Sequence, residues 1–262
     1  MEKIDLKENE RIDDLQYKNL KIIQDKTGFC FGIDSIILSD FAKNIKNKSK
    51  VVDLGTGTGV IGLLLCKKTQ LDSIIGIEIQ SEVSDMARRS VKLNNLENKF
   101  NIINADVKEI FEKNILEKNC YDVVVMNPPY KEIGTGERNE NEKKLISRHE
   151  IKGKLEDFIN VGSKLLKDKG EMYLVHKPER MAEILVKLKE YKLEPKELQI
   201  VYAKEETDAS LILIKAVKNG KKFLKIHEPI FVYDENGKYT NKIEQIYNEN
   251  KEGKEEWMGN YT

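Results

Sequence analysis

The stretch KVVDLGTGTGVIGLLLCKK, at residues 50–68, decides the fold of this chain. It opens with a short apolar run, turns through three glycines and continues as a second apolar segment from Val60 to Lys68. A short apolar run before a glycine-rich turn is typical of a buried strand, and the segment after the turn has the length of a helix. The stretch therefore predicts a β-strand, a tight turn and an α-helix.

The same alternation continues along the chain. Further strands are predicted at Ser73–Ile79, Phe100–Asn104, Tyr121–Met126, Glu171–His176, Leu198–Tyr202 and Ala209–Val217, the last two as an antiparallel pair. Helices are predicted at Ser81–Asn94, Leu155–Leu166 and Pro178–Tyr191, with a short one after Asp106. Apolar strands that alternate with helices form a parallel sheet covered on both faces. We predict an α/β fold: a Rossmann-like, doubly wound, mostly parallel seven-stranded sheet with one antiparallel strand.

The segments around these units are less regular. Residues up to about Gln24 are polar and show little pattern. Residues 29–42 carry apolar side chains at helical spacing, and Asp34 or Ser35 is a candidate cap for that helix. The polar stretch Lys131–Ile151 contains two glycines and predicts a long loop.

The C-terminal part adds two short elements. A strand is predicted at Ile230–Tyr233 and a helix at Lys242–Tyr247. We find no internal repeat and no linker that divides the chain. One domain is therefore predicted at residues 29–247, with an N-terminal extension at 1–28 and a polar C-terminal tail at 248–262.

The charge balance speaks against a strongly basic nucleic-acid-binding protein. The chain has 262 residues, with 45 Lys and Arg against 45 Asp and Glu, so its formal net charge is zero. Contact with RNA would have to come from a local patch. One candidate is a run without acidic residues that contains Lys215, Lys218, Lys221, Lys222 and Lys225. Ordinary solvated lysines are the alternative, and the sequence leaves both open.

Cysteine usage and hydropathy bear on the compartment. Cys30, Cys66 and Cys120 form no CxxC pair, which favours a reducing environment. The N-terminus lacks the apolar run of a signal peptide, and no segment approaches the ~20 apolar residues of a membrane span. We expect a cytoplasmic monomer. The histidines and cysteines have no metal-ligand spacing, so no metal site is predicted.

The turn after the first strand is a candidate cofactor site. Ligands of open parallel sheets bind beyond the carboxyl ends of the strands. Glycines there let the backbone come close to a ligand because no Cβ stands in the way. The candidate residues in this turn are Asp53, Gly55, Thr56, Gly57 and Gly59.

The next two strands end in residues that suit a nucleoside. Glu78 and Ile79 end the second strand, where a carboxylate can accept both hydroxyl protons of a ribose. Asp106 and Val107 follow the third strand, where an acid can accept from an adenine amino group while an apolar neighbour packs on the ring. An Asp in this position can also serve only as a helix N-cap.

The glycine spacing separates two cofactors. The dinucleotide fingerprint G-x-G-x-x-G would need a glycine at position 60, where this chain has Val60. The spacing found, G-x-G-x-G after an acidic residue, fits a cofactor without a pyrophosphate. Together with the two strand ends it favours S-adenosylmethionine (SAM) over NAD. The alternative is that the glycines serve only a tight strand–helix turn.

The sharpest motif is Asn127-Pro128-Pro129-Tyr130, directly after the fourth strand. An exocyclic amine on adenine is a poor nucleophile because its lone pair is delocalised into the ring. The Asn127 side-chain oxygen and the Pro128 carbonyl could accept its two protons and free the lone pair for methyl transfer. Consecutive prolines fix φ and hold that carbonyl rigidly, and Tyr130 offers an aromatic face for a planar group. A proline-terminated strand with a simple turn is the alternative.

With these motifs the chain resembles class I SAM-dependent methyltransferases that carry an NPPY motif. More narrowly, it is similar to the bacterial tRNA1(Val) adenine-37 N6-methyltransferase family. The resemblance is carried by FGIDSIIL at 31–38, VVDLGTGTGVIGLLL at 51–65, NPPY at 127–130, SRHE at 147–150 and LVHKPERMAEIL at 174–185. The glycine and NPPY motifs occur throughout the superfamily, whereas the other three are narrower signals.

The resemblance implies roles for particular residues. It implies SAM contacts from Asp53, Gly55, Glu78, Asp106 and Asn127. A target base would be held by Asn127, Pro128 and Tyr130. The segment from Phe31 to Asp34 would close over the cofactor from the other side.

Histidines and arginines near the motifs have weaker implications. Arg148 and His149 lie in the predicted loop after NPPY, where they could contact a tRNA phosphate and base or form only a loop-internal pair. His176 and Lys177 lie at a strand end near the same rim, where a packing role is equally consistent with the sequence. His227 has no partner that the sequence reveals and is predicted to be incidental.

Several functions share this motif set. NPPY chemistry also serves protein glutamine N5 and rRNA guanine N2, and a NAD(P)-binding oxidoreductase is a candidate from another class. The missing third glycine and the NPPY turn speak against the oxidoreductase. A compact enzyme that acts on an unpaired adenine of tRNA, of the anticodon-loop position 37 type, fits best because unpaired bases cost least to extrude.

Overall fold

The computed structural model describes residues 5–27, 31–130 and 154–247. Its helices are α1 (Ile33–Phe41), α2 (Val60–Lys68), α3 (Ser81–Leu93), α4 (Leu155–Leu165), α5 (Met181–Glu190) and α6 (Asn241–Tyr247). Its strands are β1 (Glu10–Asp14), β2 (Lys21–Asp25), β3 (Lys50–Leu54), β4 (Ser73–Glu78), β5 (Phe100–Asn104), β6 (Tyr121–Met126), β7 (Leu166–His176), β8 (Leu193–Tyr202), β9 (Ala209–Lys218), β10 (Lys225–Ile226) and β11 (Ile230–Phe231). Short 3₁₀ turns at Val107–Glu109 and Pro178–Arg180 follow β5 and precede α5.

The central sheet confirms the predicted topology. Its strand order is β10-β8-β9-β7-β6-β3-β4-β5, and β11 also pairs with β8. Strand β9 runs antiparallel to both β7 and β8, whereas the other pairs are parallel. The seven longer strands are those expected from the sequence. The two-residue strands β10 and β11 extend the edge at β8.

Two hydrophobic clusters cover the two faces of the sheet. Helices α1, α2, α3 and α6 pack on one face, and α4 and α5 pack on the other. The strands between them are buried on both sides, so their apolar runs show no alternation. From β3 the chain adds β4 and β5 on one side and then crosses to add β6 on the other, so the direction of strand addition reverses between β3 and β6. These two strands pair from Val51↔Val123 to Leu54↔Met126. The glycine turn and the NPPY turn therefore leave the same edge of the sheet side by side.

The N-terminal segment is more ordered than its composition suggests. Strands β1 and β2 form an antiparallel hairpin, and its apolar side chains join the cluster beneath α1–α3. Side chains of α3 hold the hairpin: Asn94 bonds both the N–H and the carbonyl of Lys21, at 2.9 and 2.6 Å, and Ser90 accepts from the N–H of Ile23 at 2.9 Å. The buried side chain of Gln24 accepts the N–H of Phe31 at 2.9 Å, which ties the hairpin to the segment leading into α1.

Helix α1 starts earlier than predicted. Its N-cap is Gly32, so neither Asp34 nor Ser35 caps it, and that prediction is wrong. Instead, the Asp34 carboxylate stays within the first turn, where Oδ1 accepts the Ser35 N–H at 2.9 Å. A Cβ on Gly32 would lie 2.7 Å from that oxygen, so the glycine leaves room for the carboxylate.

The far edge of the sheet corrects a second prediction. His227, predicted to be incidental, lies 2.7 Å through Nε2 from Glu197 Oε2. Its ring also makes an edge contact with Phe41 at 6.2 Å between centroids. The sequence could not reveal these contacts because the partners lie on β8 and α1.

Candidate active site

The turn after β3 is held by the backbone of its neighbour. The N–H groups of Gly55 and Thr56 both donate to the Ile77 carbonyl at 2.9 Å. Gly55, Gly57 and Gly59 have φ of 73°, 57° and 91°, the left-handed region that favours glycine. A Cβ on Gly57 would meet nothing within 4 Å, so this part of the turn faces open space. The turn offers a bare backbone surface for a ligand.

Asp53 is buried beneath that turn. The Thr56 hydroxyl donates to its Oδ2 at 2.6 Å, while Oδ1 is buried without a hydrogen-bond partner among the described residues. Burial, aided by the nearby negative charge of Glu78 and opposed by the hydrogen bond from Thr56, raises the pKa of Asp53 to about 7. A buried acceptor without a donor is costly. A ligand that brings a donor or a positive charge to this carboxylate would remove that cost.

Glu78 ends β4 against the same turn. Its Oε2 accepts the Gly57 N–H at 3.0 Å and its Oε1 accepts the Gln80 N–H at 2.9 Å. Burial raises its pKa, and the backbone donors oppose that shift. Each carboxylate oxygen can accept more than one hydrogen bond, so both remain able to accept from a vicinal diol.

The end of β5 completes this side of the site. Asp106 caps the following 3₁₀ turn by accepting the Lys108 N–H at 2.9 Å, so the N-cap interpretation holds alongside any ligand role. Val107 is buried next to it. Asn104, which no sequence motif indicates, donates through its amide to the carbonyls of Glu78 and Ile79 at 2.8 and 2.9 Å. Asn104 thereby fixes the end of β4 relative to the end of β5.

The NPPY turn is held by α1. The Asn127 amide nitrogen donates to Asp34 Oδ2 at 3.0 Å and to Ser35 Oγ at 3.3 Å. The amide nitrogen is the donor in both contacts, so it is the nitrogen of the side-chain amide that faces α1. The Asn127 side-chain oxygen consequently points away from α1 and is left to accept from a substrate.

Asp34 also holds Tyr130. The Tyr130 hydroxyl donates to the same Oδ2 at 2.7 Å, and burial together with the Asp34 charge raises the pKa of this phenol. The Tyr130 ring meets His176 edge to face at 5.1 Å between centroids, and the Lys177 ammonium lies 5.6 Å from its centre. One carboxylate oxygen therefore fixes both ends of the NPPY motif.

His176 is part of the packing at this rim. It is fully buried, and its Nδ1 accepts the Lys177 N–H at 2.8 Å. Burial and the nearby Arg180 charge lower its pKa to about 4, so the ring is neutral at pH 7. The ring supports Tyr130 and carries no charge toward the site.

The residues predicted to contact tRNA are not part of this site among the described residues. Lys215 pairs with Glu171 and Glu197 at 2.8 and 3.3 Å, and Lys218 bonds the Asn119 side chain and two backbone carbonyls. These two lysines are engaged within the domain. The predicted tRNA contacts Arg148 and His149, the loop at 131–151 and the tail at 248–262 lie outside the described residues.

The described residues include neither a cluster suited to a metal ion nor a helix suited to a bilayer. Among residues 5–27, 31–130 and 154–247, no group of three or more His, Cys, Asp or Glu side chains is placed to hold a metal ion. In the same part of the chain, no helix is long and apolar enough to cross a bilayer.

The strand order, the glycine turn and the strand-end acids are those of a class I methyltransferase. Comparison with known proteins agrees: residues 32–191 match the methyltransferase small domain family, and the chain belongs to that family. The family implies SAM as the methyl donor. The site fits it, because an unsatisfied buried carboxylate and an open glycine turn lie beside a strand-end glutamate.

Within and beyond this family, the chain is similar to several named proteins. The chain is 22% identical over 219 residues to a tRNA1(Val) (adenine(37)-N6)-methyltransferase of Flavobacterium johnsoniae, covering 84% of this chain and 91% of the relative. It is 26% identical to the enzyme of the same name from Aeromonas salmonicida, over 68% and 72% of the two chains. Its fold is similar to that of a predicted O-methyltransferase from Agrobacterium tumefaciens, with a TM-score of 0.65, 20% identity and 82% and 95% coverage.

Proposed function

We propose that this methyltransferase transfers the methyl group of SAM to N6 of an unpaired adenine in tRNA, of the anticodon-loop position 37 type. The observation that carries the proposal is the Asp34–Asn127 contact at 3.0 Å, which leaves an amide oxygen as an acceptor next to the glycine turn. The names of the relatives support tRNA adenine as the substrate.

The acceptors at the NPPY turn define the chemistry. An exocyclic amine has two protons, and the Asn127 side-chain oxygen and the Pro128 carbonyl can accept one each. Both acceptors are fixed, the first by Asp34 and the second by consecutive prolines. Holding both protons draws the nitrogen toward pyramidal geometry and frees its lone pair. Such positioning acts through orientation and preorganised electrostatics.

The same geometry explains why no strong base is needed. When bound, SAM supplies an electrophilic sulfonium methyl group. The amine proton becomes acidic once the nitrogen is alkylated, and it can leave to water. This agrees with a neutral His176, which is buried behind Tyr130.

Cofactor contacts are assigned by chemistry and position. Glu78 would accept the ribose hydroxyls, and Asp106 with Val107 would receive the adenine ring of SAM. The backbone at Gly55 and Gly57 would lie against the methionine part, whose positive charge suits Asp53. Phe31, just before α1, and Asp34 would close over the cofactor from the other side, while Asp34 also holds the NPPY turn.

The test is methyl transfer to defined RNA. Unmodified tRNA transcripts are incubated with the enzyme and labelled SAM, and the product nucleosides are identified by mass spectrometry. We expect label in N6-methyladenosine at a single anticodon-loop position. A matched transcript with guanosine at that position should give no label there, and Asn127→Ala enzyme should label the adenosine transcript at least about 100-fold more slowly.

Other results of these experiments would contradict the proposed substrate or the proposed reaction. Label in N2-methylguanosine of rRNA, or in a glutamine of a release factor, would contradict tRNA adenine as the substrate. Binding of NADH in place of SAM in calorimetry would contradict the methyltransferase chemistry itself.

A further inference from the structure

An exposed strip of basic and apolar residues borders the far edge of the sheet. We define the basic–apolar strip as residues 221–226, KKFLKI, all of which are exposed. Phe223 is 88% exposed and Ile226 63% exposed, which is unusual for large apolar side chains. The strip is a surface feature with no role in the core.

The strip is held in place by the sheet. The Lys196 ammonium on β8 donates to the carbonyls of Lys221, Lys222 and Phe223, at 3.0, 3.1 and 2.8 Å. Phe223 has φ of 89°, a conformation that is unfavourable for a bulky residue and persists because its surroundings enforce it. The protein thus presents an aromatic ring on a fixed and strained backbone.

The lysines of the strip are not held in ion pairs among the described residues. No acidic residue occurs between positions 215 and 225. Among the described residues, no carboxylate forms an ion pair with Lys221, Lys222 or Lys225, in contrast to Lys215. Three cations around an exposed aromatic ring suit a polyanion that also offers planar groups to stack on.

The register of the sheet relates the strip to the catalytic turn. Met126 pairs with Leu174, which pairs with Ile214, which pairs with Leu198, which pairs with Ile226. Ile226, the last residue of the strip, therefore lies in the same transverse row as the residue before Asn127, and the other strip residues lie from that row toward the amino-terminal edge of β8. Four strand spacings separate Ile226 from Met126, or about 19 Å.

We propose that the basic–apolar strip is a docking surface for the tRNA substrate. Lys221, Lys222 and Lys225 contact phosphates, and Phe223 stacks on an unpaired base, while the target adenine lies at Asn127. The proposal rests on the proposed function and adds a second contact that sets the orientation of the tRNA. It also restricts the RNA-contact patch predicted from the sequence to residues 221–226, because Lys215 and Lys218 are engaged in contacts within the domain.

The experiment compares tRNA binding and turnover in three variants of the full chain. Lys221→Glu/Lys222→Glu removes two cations, Phe223→Ala removes the ring, and Lys46→Glu/Lys48→Glu makes the same charge change at the amino-terminal edge of β3. Kd for unmodified tRNA is measured by filter binding as a function of salt. KM for tRNA, kcat and Kd for SAM are measured alongside.

We expect the Lys221→Glu/Lys222→Glu variant to bind tRNA at least about 10-fold more weakly, with a salt slope smaller by about 2. Phe223→Ala should weaken binding by about 5- to 100-fold, and Phe223→Tyr should restore it. The kcat at saturating tRNA and the Kd for SAM should stay within about 2-fold in each. The Lys46→Glu/Lys48→Glu control should bind tRNA much more tightly than the strip variant.

Unchanged tRNA affinity in both strip variants, with wild-type methylation intact, would overturn the docking proposal and leave the proposed function standing. Equal losses in the strip and control variants would also overturn it, since they would show a net-charge effect. Loss of binding to anionic phospholipid vesicles without loss of tRNA affinity would assign the strip to a membrane instead. Failure of the wild type to methylate any tRNA would count against the proposed function.

Discussion

The turn after β3 and the turn after β6 lie side by side, yet they are held in different ways. The glycine turn is fixed by its own strand and the next one, through Thr56 to Asp53 and through Ile77 and Glu78. The NPPY turn is fixed by α1, whose Asp34 lies 93 residues before Asn127 in the chain. The cofactor half is built locally, and the substrate half depends on a distant helix.

Because the two halves of the candidate site are held by different residues, we expect substitutions in them to impair different steps. In the proposed site, a change in the glycine-turn network should weaken SAM binding first, because its groups would contact the cofactor. A change in the Asp34 network should slow methyl transfer at unchanged SAM affinity, because its groups would position the amine. The following predictions test whether the two halves separate in this way.

The largest effect is expected from Asn127→Ala. This substitution removes the acceptor of a hydrogen bond that is expected to be stronger in the transition state than in the ground state, so kcat should fall by about 10²- to 10³-fold. The Kd for SAM, measured by calorimetry, should stay within about 3-fold. Ser35→Ala is the matched control, since it removes only the longer 3.3 Å contact to Asn127 and should change kcat by less than about 3-fold. Parallel loss of SAM affinity and kcat in Asn127→Ala would contradict the separation.

Glu78→Ala should show the opposite pattern. Loss of charge-assisted hydrogen bonds to a diol costs about 1.5–3 kcal/mol, so the Kd for SAM should rise by about 10- to 100-fold. At saturating SAM, kcat should be much less affected. Glu82→Ala on the exposed start of α3 is the control and should leave both unchanged. Normal SAM affinity in Glu78→Ala would remove this residue from the pocket.

Asp34→Ala tests the long-range support of the NPPY turn. Without the carboxylate, the Asn127 amide can rotate and Tyr130 loses its acceptor, so kcat should fall by about 10- to 100-fold. The Kd for SAM should change little. In an Asn127→Ala background, Asp34→Ala should cost only a small further factor, because its effect passes mainly through Asn127. A large rise in the SAM Kd would make Asp34 a cofactor ligand, as the family resemblance implies.

The last prediction concerns the pH dependence of stability rather than activity. Asp53 has a pKa of about 7 in the folded protein against 3.8 for a free side chain, because burial disfavours its charge. The folded state then binds the proton more tightly than the unfolded chain. The stability that Asp53 contributes is fully present below about pH 4 and is lost as pH rises through 7.

Urea unfolding at several pH values measures this contribution. The unfolding free energy of wild type minus that of Asp53→Asn should decrease between about pH 4 and pH 7.5. Asp72→Asn, at an exposed position, should show no such trend. A difference that stays constant with pH would show that Asp53 is ionised throughout and that its burial is compensated.

Much of the fold follows from the sequence because the central strands are buried on both faces. Their apolar runs and the turns between them are local signals, so β3 to β6 and their helices lie close to the predicted bounds. The hairpin of β1 and β2 escaped prediction because its polar face masks the alternation. Only Leu15, Tyr17, Leu20, Ile22 and Ile23, all buried around the turn, could have indicated it.

The residues of the candidate site likewise fall into those that local sequence predicts and those that it does not. The glycines and Glu78 are recognisable because their roles follow from their position at a strand end. The function of Asp34 as a clamp, the support from Asn104 and the partner of His227 depend on contacts between distant segments. No spacing rule encodes such contacts, so they became visible only in the folded chain.

The most direct test of the account is a structure of the enzyme with a non-reactive SAM analogue and an adenine-containing tRNA fragment. We expect the Asn127 side-chain oxygen and the Pro128 carbonyl within about 2.7–3.2 Å of N6, with Asp34 still bound to the Asn127 amide nitrogen. An adenine whose N6 is held by other residues, or an Asn127 amide turned so that its oxygen faces α1, would contradict it.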